Sequence, residues 1–85
     1  MVERPGQAAP ATVGFLMRSA RAYQEQGNIH QATLAYFDLL GHYPEGKEAQ
    51  EARDRLLKIA LEYEESGQLH MAKHLFRRID HAIGA

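Results

Sequence analysis

Two stretches of the chain, YQEQGNIHQATLAY (residues 23–36) and YEESGQLHMAKHLF (residues 63–76), decide the fold. They agree at a tyrosine, a glycine, a histidine and an alanine, and both end in an aromatic residue. The paired positions, each 40 residues apart, are Tyr23 with Tyr63, Gly27 with Gly67, His30 with His70, Ala32 with Ala72 and Tyr36 with Phe76. Self-similarity at a fixed offset indicates two copies of one structural unit.

Glycine and proline divide the chain into four predicted helices. Glycine tolerates positive φ where a helix ends, and proline disfavours helix in the residue before it. Between these breakers, apolar residues recur at three- and four-residue steps, which is typical of one face of an α-helix. The pattern predicts helices over residues 12–26, 29–42 and 69–82, and a longer third helix from Lys47 that Gly67 ends.

The starts of the predicted helices carry capping residues. Thr12 offers a hydroxyl as N-cap of the first helix, and Asn28 with Gln31 three residues on resembles a capping box. Residues 1–11 contain two prolines, a glycine and almost no large side chain. They cannot bury enough apolar surface to offset the entropy of ordering, so we expect a flexible tail there.

The composition is typical of a small helical domain. Of the 85 residues, 45% are hydrophobic and 25% charged, and helix formers such as Ala, Leu, Glu, Gln and Arg dominate. A single domain of this length lies near the size at which stability becomes marginal. The sequence therefore predicts one all-α domain over residues 12–85, with a small core that a partner could help to stabilise.

The charge balance and the missing cysteines exclude several functions. Ten Lys and Arg against eleven Asp and Glu leave a net charge of −1, so no basic excess favours a nucleic-acid partner. Without cysteine there are no disulfides and no thiol chemistry. The first residues, MVERPGQAAPAT, contain no apolar run of a signal peptide or membrane span. We therefore expect a cytoplasmic protein with no membrane insertion.

The repeat resembles the tetratricopeptide repeat, whose pattern is W-x2-L-G-x2-Y, then A-x3-F, then P. The matching residues are Leu16, Ser19, Ala20, Tyr23, Ala32, Tyr36 and Pro44 in the first unit, and Leu56, Ile59, Ala60, Tyr63, Ala72 and Phe76 in the second, with Gly84 where the proline would stand. The resemblance implies two helix-turn-helix hairpins, residues 12–45 and 46–85, that form a short right-handed α-solenoid.

The chain departs from the family pattern in three ways. Tryptophan is missing, Ser19 stands where a large residue is usual, and the offset is 40 residues, whereas the family repeat has about 34. The extra residues fall in the stretch EGKEAQEARDRL, where they would lengthen the third helix at its N-terminal end.

A binding surface follows from the resemblance, because the first helix of each hairpin lines the concave face of a tetratricopeptide array. The residues on that flank are Met17, Arg21, Gln24, Leu57, Leu61 and Glu64. We expect Met17, Leu57 and Leu61 to be exposed apolar anchors and Arg21 a charged contact at the rim. The fitting partner is a protein that offers an amphipathic helix or an extended peptide. The Lys/Asn clamp of relatives that bind acidic C-termini is not reproduced.

The apolar flank and the open ends of the stack also permit a different role. The flank could be ordinary surface exposure, or neighbouring parts of a longer chain could cover it. Solenoids usually need about three repeats and polar caps, whereas this chain has two repeats. Met71, Leu75 and Ile83 lie on the last helix where a further helix would pack. The alternative function is therefore a self-associating element, such as a homodimer, that buries its own open end and groove.

The histidines form a weaker pattern. His70 and His74 are four residues apart on one helical face and could share a metal ion. However, Arg77 lies on the same stripe and the nearest acid, Asp80, lies off it. We expect a solvated face, with no metal and no cofactor. For His30 and His70, which recur just after the turns, we expect local hydrogen bonds or exposure, with pH sensing as the alternative.

Nothing in the sequence indicates catalysis. Ser19 and Ser66 are in no nucleophile motif, the Glu-rich runs are typical of helix surface, and no glycine-rich loop could hold a phosphate. The sequence therefore predicts a non-enzymatic interaction module that binds a partner protein and scaffolds an assembly.

Overall fold

Four α-helices follow one another along the chain. The computed structural model describes the backbone of residues 10–84 and the side chains of residues 12–82. The helices are α1 (Pro10–Glu25), α2 (Ile29–His42), α3 (Lys47–Glu65) and α4 (Leu69–Gly84). We call α1 with α2 hairpin one, and α3 with α4 hairpin two. The described residues contain no strand, so the predicted all-α class is confirmed for them.

The helix boundaries follow the predicted breakers closely, except at the start. α2 has the predicted bounds, and α3 begins at Lys47 as expected. α1 already begins at Pro10, so the prediction that Thr12 caps it is wrong. Proline suits the first turn of a helix because its missing N–H would have no partner there. The last two residues of the predicted tail therefore belong to α1, and residues 1–9 lie outside the described part.

The two hairpins turn in the same way. Gly27 and Gly67 have φ angles of 80° and 82°, in the region that favours glycine. In both turns the amide after the glycine donates to the tyrosine carbonyl five residues back, Asn28 to Tyr23 at 2.9 Å and Gln68 to Tyr63 at 2.8 Å. This is the helix ending expected from the repeat. The Asn28 side chain also accepts the Gln31 amide at 3.4 Å, which is one half of the predicted capping box.

Each helix packs on the next one and touches the one after it. α1 contacts α2 and α3, and α4 contacts α3 and α2. The resulting layer measures 50 × 30 × 16 Å. Small fully buried residues such as Ala20, Ala32 and Ala60 let the backbones approach, and Tyr36 fills the space between them. The buried core is Met17, Ala20, Ala32, Tyr36, Leu39, Leu40, Ala49, Ala52, Leu56, Ile59, Ala60, Leu75 and Ile79.

α1 buries only part of the predicted stripe, which comprises Phe15, Leu16, Ser19, Ala20 and Tyr23. Ala20 is buried, but Phe15 is 61% exposed and Tyr23 is exposed as well. Met17 is only 1% exposed, so the expectation that it is an exposed anchor is wrong. The reason is that α1 packs against α3 as well as α2, which turns its inward face toward Met17 and Ala20.

The predicted self-association residues differ from one another in their exposure. Leu75 is buried in the core, because α4 packs against both α2 and α3, so it is not free for a partner. Met71 is exposed, as that expectation requires. The side chain of Ile83 lies outside the described residues.

Candidate interaction surfaces

Hairpin two presents a depression of about 500 Å³ at the end of the helix layer. We call it the end face, and it is lined by Leu57, Lys73, Phe76, Arg77, Ile79 and Asp80. Leu57 and Leu61, one turn apart on α3, are 36% and 48% exposed. Three of the lining residues are apolar and three are charged, and protein-binding surfaces commonly combine the two kinds of residue.

The internal repeat provides a direct counterpart of the end face. Forty positions earlier, the corresponding residues of hairpin one are Met17, Thr33, Tyr36, Phe37, Leu39 and Leu40. Four of these are buried and the other two half-buried, because hairpin two packs on hairpin one. No further helix follows α4 in the described part of the chain, so the equivalent surface of hairpin two stays open. The end face is thus the uncovered copy of a covered helix-binding surface.

The covered copy is joined by a polar network between α1, α2 and α3. Arg21 donates to the Glu51 carboxylate at 2.9 Å. The Gln24 side-chain oxygen accepts from the Tyr36 hydroxyl at 2.7 Å and from Arg55 at 3.3 Å. We call these five residues the polar joint. Arg21, predicted as a rim contact, and Gln24, predicted as a partner-binding residue, are instead half-buried and bonded within the chain.

The surroundings of Tyr36 in the polar joint shift the pKa of its phenol. Burial raises the pKa of the Tyr36 phenol above its ordinary value, and the positive charge of Arg55 offsets part of that rise. The phenol therefore stays protonated through the neutral range and continues to donate its hydrogen bond to Gln24.

A second pocket, the α1/α3 groove, has a volume of about 360 Å³. It is lined by Gly14, Met17, Arg18, Arg21, Lys47, Glu48 and Glu51. Met17 and Arg21 thus meet, as predicted, but Met17 is only the buried floor. Leu57 lies at the end face instead, so the six predicted binding residues do not form a single site. The Arg21 Nε is buried without a hydrogen-bond partner among the described residues.

A third pocket, the α2/α4 groove, has a volume of about 260 Å³. It is lined by His30, Thr33, Leu34, Tyr63, Met71, His74, Leu75 and Arg78. The Arg78 guanidinium lies 4.2 Å from the centre of the Phe37 ring, a cation–π contact between the hairpins. The sequence did not predict that His30 and His74 line one groove. The available signal was the repeat, because His74 stands at the position of Leu34, and Leu34 lines the same groove.

No metal centre is formed by these side chains. Among the described residues, no three or more His, Asp or Glu come close enough to hold a metal ion.

Within residues 10–84, no helix combines the length and apolarity needed to cross a membrane.

Comparison with protein-family models, with curated proteins and with solved structures finds no match to this chain. The surfaces described above are therefore the basis for a functional proposal, and the end face is the most distinctive of them.

Proposed function

We propose that this chain is a non-enzymatic interaction module, a two-repeat tetratricopeptide-like α-solenoid that binds a helix of a partner protein and holds it in an assembly. The observation that carries the proposal is the end face. It repeats, in an open form, the surface on which hairpin one already binds a helix, namely α3. A cytoplasmic location agrees with this role and is part of the proposal.

The solenoid assignment draws support from the contacts and the turns. Each helix touches its successor and the helix after that, which is the contact pattern of stacked hairpins. Gly27 and Gly67 adopt nearly the same φ angle, so both hairpins are closed by one type of turn. Each unit of such a stack leaves one face for the next unit, and the end face is that remaining surface.

The contacts of α3 suggest what kind of helix the end face would bind. α3 contacts hairpin one, and its inward positions include the fully buried alanines Ala49 and Ala52 beside Leu56. A matching partner helix is amphipathic, with small residues that allow close approach and a large apolar residue between them. Covering a leucine such as Leu57 or Leu61 completely would contribute about 1.5–3 kcal/mol at most, because each is already partly buried.

Ser66, one of the two serines that could act as a nucleophile, has a structural role. The Ser66 hydroxyl donates to the Tyr63 carbonyl at 3.0 Å and accepts from the Gln68 side chain at 3.0 Å, so it closes the end of α3. Among the side chains of residues 12–82, the buried residues are apolar apart from the hydroxyl of Tyr36, which is bonded to Gln24. A poised acid–base pair sheltered from water has no place in such an arrangement.

The proposal can be tested with a phage-displayed library of amphipathic helical peptides. Peptides selected on the wild-type chain are measured against the double variant Leu57→Asp/Leu61→Asp. We expect binding to weaken at least about tenfold, since a charged residue at the centre of an interface removes more than 1 kcal/mol. Circular dichroism checks that the variant keeps its helices.

Leu34→Asp is the matched control, because Leu34 is 40% exposed but lies in the α2/α4 groove. We expect it to leave the affinity of the selected peptides unchanged. Selected peptides that bind the Leu57/Leu61 variant as tightly as the wild type would overturn the end face as the binding site. Failure to select any helical peptide would do the same.

A further inference from the structure

α1 has an outward face that corresponds to the face by which α3 binds hairpin one. By the offset of 40 residues, Phe15 stands at the position of Arg55, and Arg55 reaches across the polar joint to Gln24 at 3.3 Å. Phe15 is 61% exposed. Among the described helices, α1 packs only on α2 and α3. We call the surface around Phe15 and the end face the two open ends of the layer.

At the two open ends, residues of the polar joint are replaced at corresponding positions on both sides of the contact. Across the covered surface, Arg55 of α3 meets Gln24 and lies beside Tyr36, whose hydroxyl also bonds Gln24. At the open ends, Phe15 takes the place of Arg55, and Phe76 takes the place of Tyr36. The guanidinium and the hydroxyl group are thus absent from the two surfaces that would meet, while the exposed Glu64 stands at the position of Gln24.

The contact between Arg21 and Glu51 in the polar joint also has an apolar residue at one corresponding position. Arg21, which pairs with Glu51 at 2.9 Å, corresponds to Leu61 in hairpin two. Leu61 is 48% exposed and lies one turn from Leu57, which is 36% exposed. An arginine at Leu61 would need an acidic partner, whereas a leucine needs an apolar one. The end face is therefore suited to an apolar helix surface such as that around Phe15.

We propose that copies of this chain associate head to tail, with α1 of one copy packed on the end face of another. This inference rests on the proposed function and names a second copy as the partner. The incoming α1 occupies the position that α3 takes on hairpin one, and its Phe15 ring covers Phe76, Leu57 and Leu61. Apolar contacts of Phe15 between copies thus take the place of the Arg55 contacts within each copy, and Glu64 lies at the edge of the interface.

Such an interface joins two different surfaces, so it does not close on itself as a two-fold dimer does. A copy bound through its α1 still offers its own end face to the next copy. The expected assembly therefore grows with concentration beyond two copies, unless the rotation from copy to copy closes a ring.

The test is the molar mass of the chain by light scattering after size exclusion, across about a hundredfold range of concentration. The wild type is expected to rise from the 9.6 kDa of one chain past the mass of two. Phe15→Asp removes the head surface, and Leu57→Asp/Leu61→Asp removes the tail surface. Each variant alone is expected to stay monomeric, with association at least about tenfold weaker.

Mixing the two variants distinguishes this assembly from others. The Phe15 variant keeps its end face and the Leu57/Leu61 variant keeps its α1 surface, so an equimolar mixture should form a dimer that grows no further. Phe15→Ala, a milder change at an exposed position, should also lower the mass. Leu34→Asp is the control and should assemble like the wild type, because Leu34 lies in neither surface.

Two results would overturn the inference. One is a wild-type chain that remains monomeric over the whole range; if its end face nevertheless binds the selected helical peptides, the proposed function survives with a different occupant. The other is a mass that stops at two copies and is unaffected by Phe15→Asp, which indicates a two-fold interface. A monomeric chain that also binds no helical peptide would overturn both proposals.

Discussion

Hairpin one and hairpin two share one repeat, yet the same positions are buried in the first and open in the second. Met17 is 1% exposed, whereas its counterpart Leu57 is 36% exposed. Tyr36 is fully buried and Phe76 only half-buried. The difference shows that burial at these positions depends on whether a following helix packs there, and not on the apolar character of the residue.

The sequence has adapted to this difference at the edge of the surface but not at its centre. Phe37 and Leu40 of hairpin one become Arg77 and Asp80 in hairpin two, and both of these are exposed. Polar replacements of this kind keep the terminal repeat of a solenoid soluble. The centre, with Leu57 and Phe76, remains apolar.

The largest expected effect is the contrast between Met17→Ala and Leu57→Ala. Met17→Ala leaves a cavity between α1 and α3 and should lower the free energy of unfolding by about 2–5 kcal/mol. Leu57→Ala removes a partly exposed side chain and should cost less than about 1 kcal/mol. Urea unfolding of both variants, below the concentration of self-association, measures the contrast. Equal losses would mean that Leu57 is buried in solution.

The second effect tests the likeness of the hairpins. Gly27→Ala and Gly67→Ala each force a side chain into positive φ, which should cost about 1–2 kcal/mol. A Cβ at either position meets no atom within 4 Å, so the cost is conformational in both turns. We expect equal losses in urea unfolding. A much larger loss at one glycine would show that the two turns differ in solution.

A smaller effect separates the polar joint from the end face. Tyr36→Phe removes the donor to Gln24 and should cost about 1 kcal/mol. The reverse change, Phe76→Tyr, adds a hydroxyl to a half-open surface and should leave stability nearly unchanged. Thermal unfolding by circular dichroism compares the two. A destabilising Phe76→Tyr in the monomeric state would show that Phe76 is enclosed.

The smallest effect concerns alkaline pH. Because burial raises the pKa of Tyr36, an unfolded chain loses this phenol proton at lower pH than the folded chain does. The stability that this difference provides is complete below about pH 10, the ordinary tyrosine pKa, and declines as pH rises above it. We expect Tyr36→Phe to show a shallower decline of unfolding free energy over that range. A decline as steep as in the wild type would place the phenol in a solvated site.

Local features were predictable from the sequence, whereas surfaces made by several helices were not. Gly27, Gly67 and the bounds of α2 follow from residues that act on their immediate neighbours. The inward face of α1 depends on α3, which is distant in sequence. Phe15 and Met17 are equally apolar, so periodicity alone could not show which one is buried.

The candidate site divides in the same way. Leu57 and Leu61 were predicted to be exposed from the repeat, and they are. Phe76 stands at the repeat position of Tyr36, which fills the space between helices. Its partial exposure at the end face depends on how α4 packs on α3. The use of Arg21 and Gln24 within the chain depends on the length and placement of α3, which no local pattern reports.

The polar joint also limits how chains can mispair while they fold. When a hairpin from another molecule approaches the wrong surface, Glu51 loses its contact with Arg21 and Arg55 loses its contact with Gln24, although Arg55 and Glu51 still pair within α3 at 3.5 Å. Burying these groups without their partners on hairpin one is costly, so such an encounter is disfavoured. Two chains can still exchange hairpins if hairpin one of one chain packs on hairpin two of the other. Packing of hairpin one on hairpin one, or of hairpin two on hairpin two, is disfavoured because it does not form these hydrogen bonds. Donors and acceptors in this small contact therefore set the order in which hairpins can follow one another.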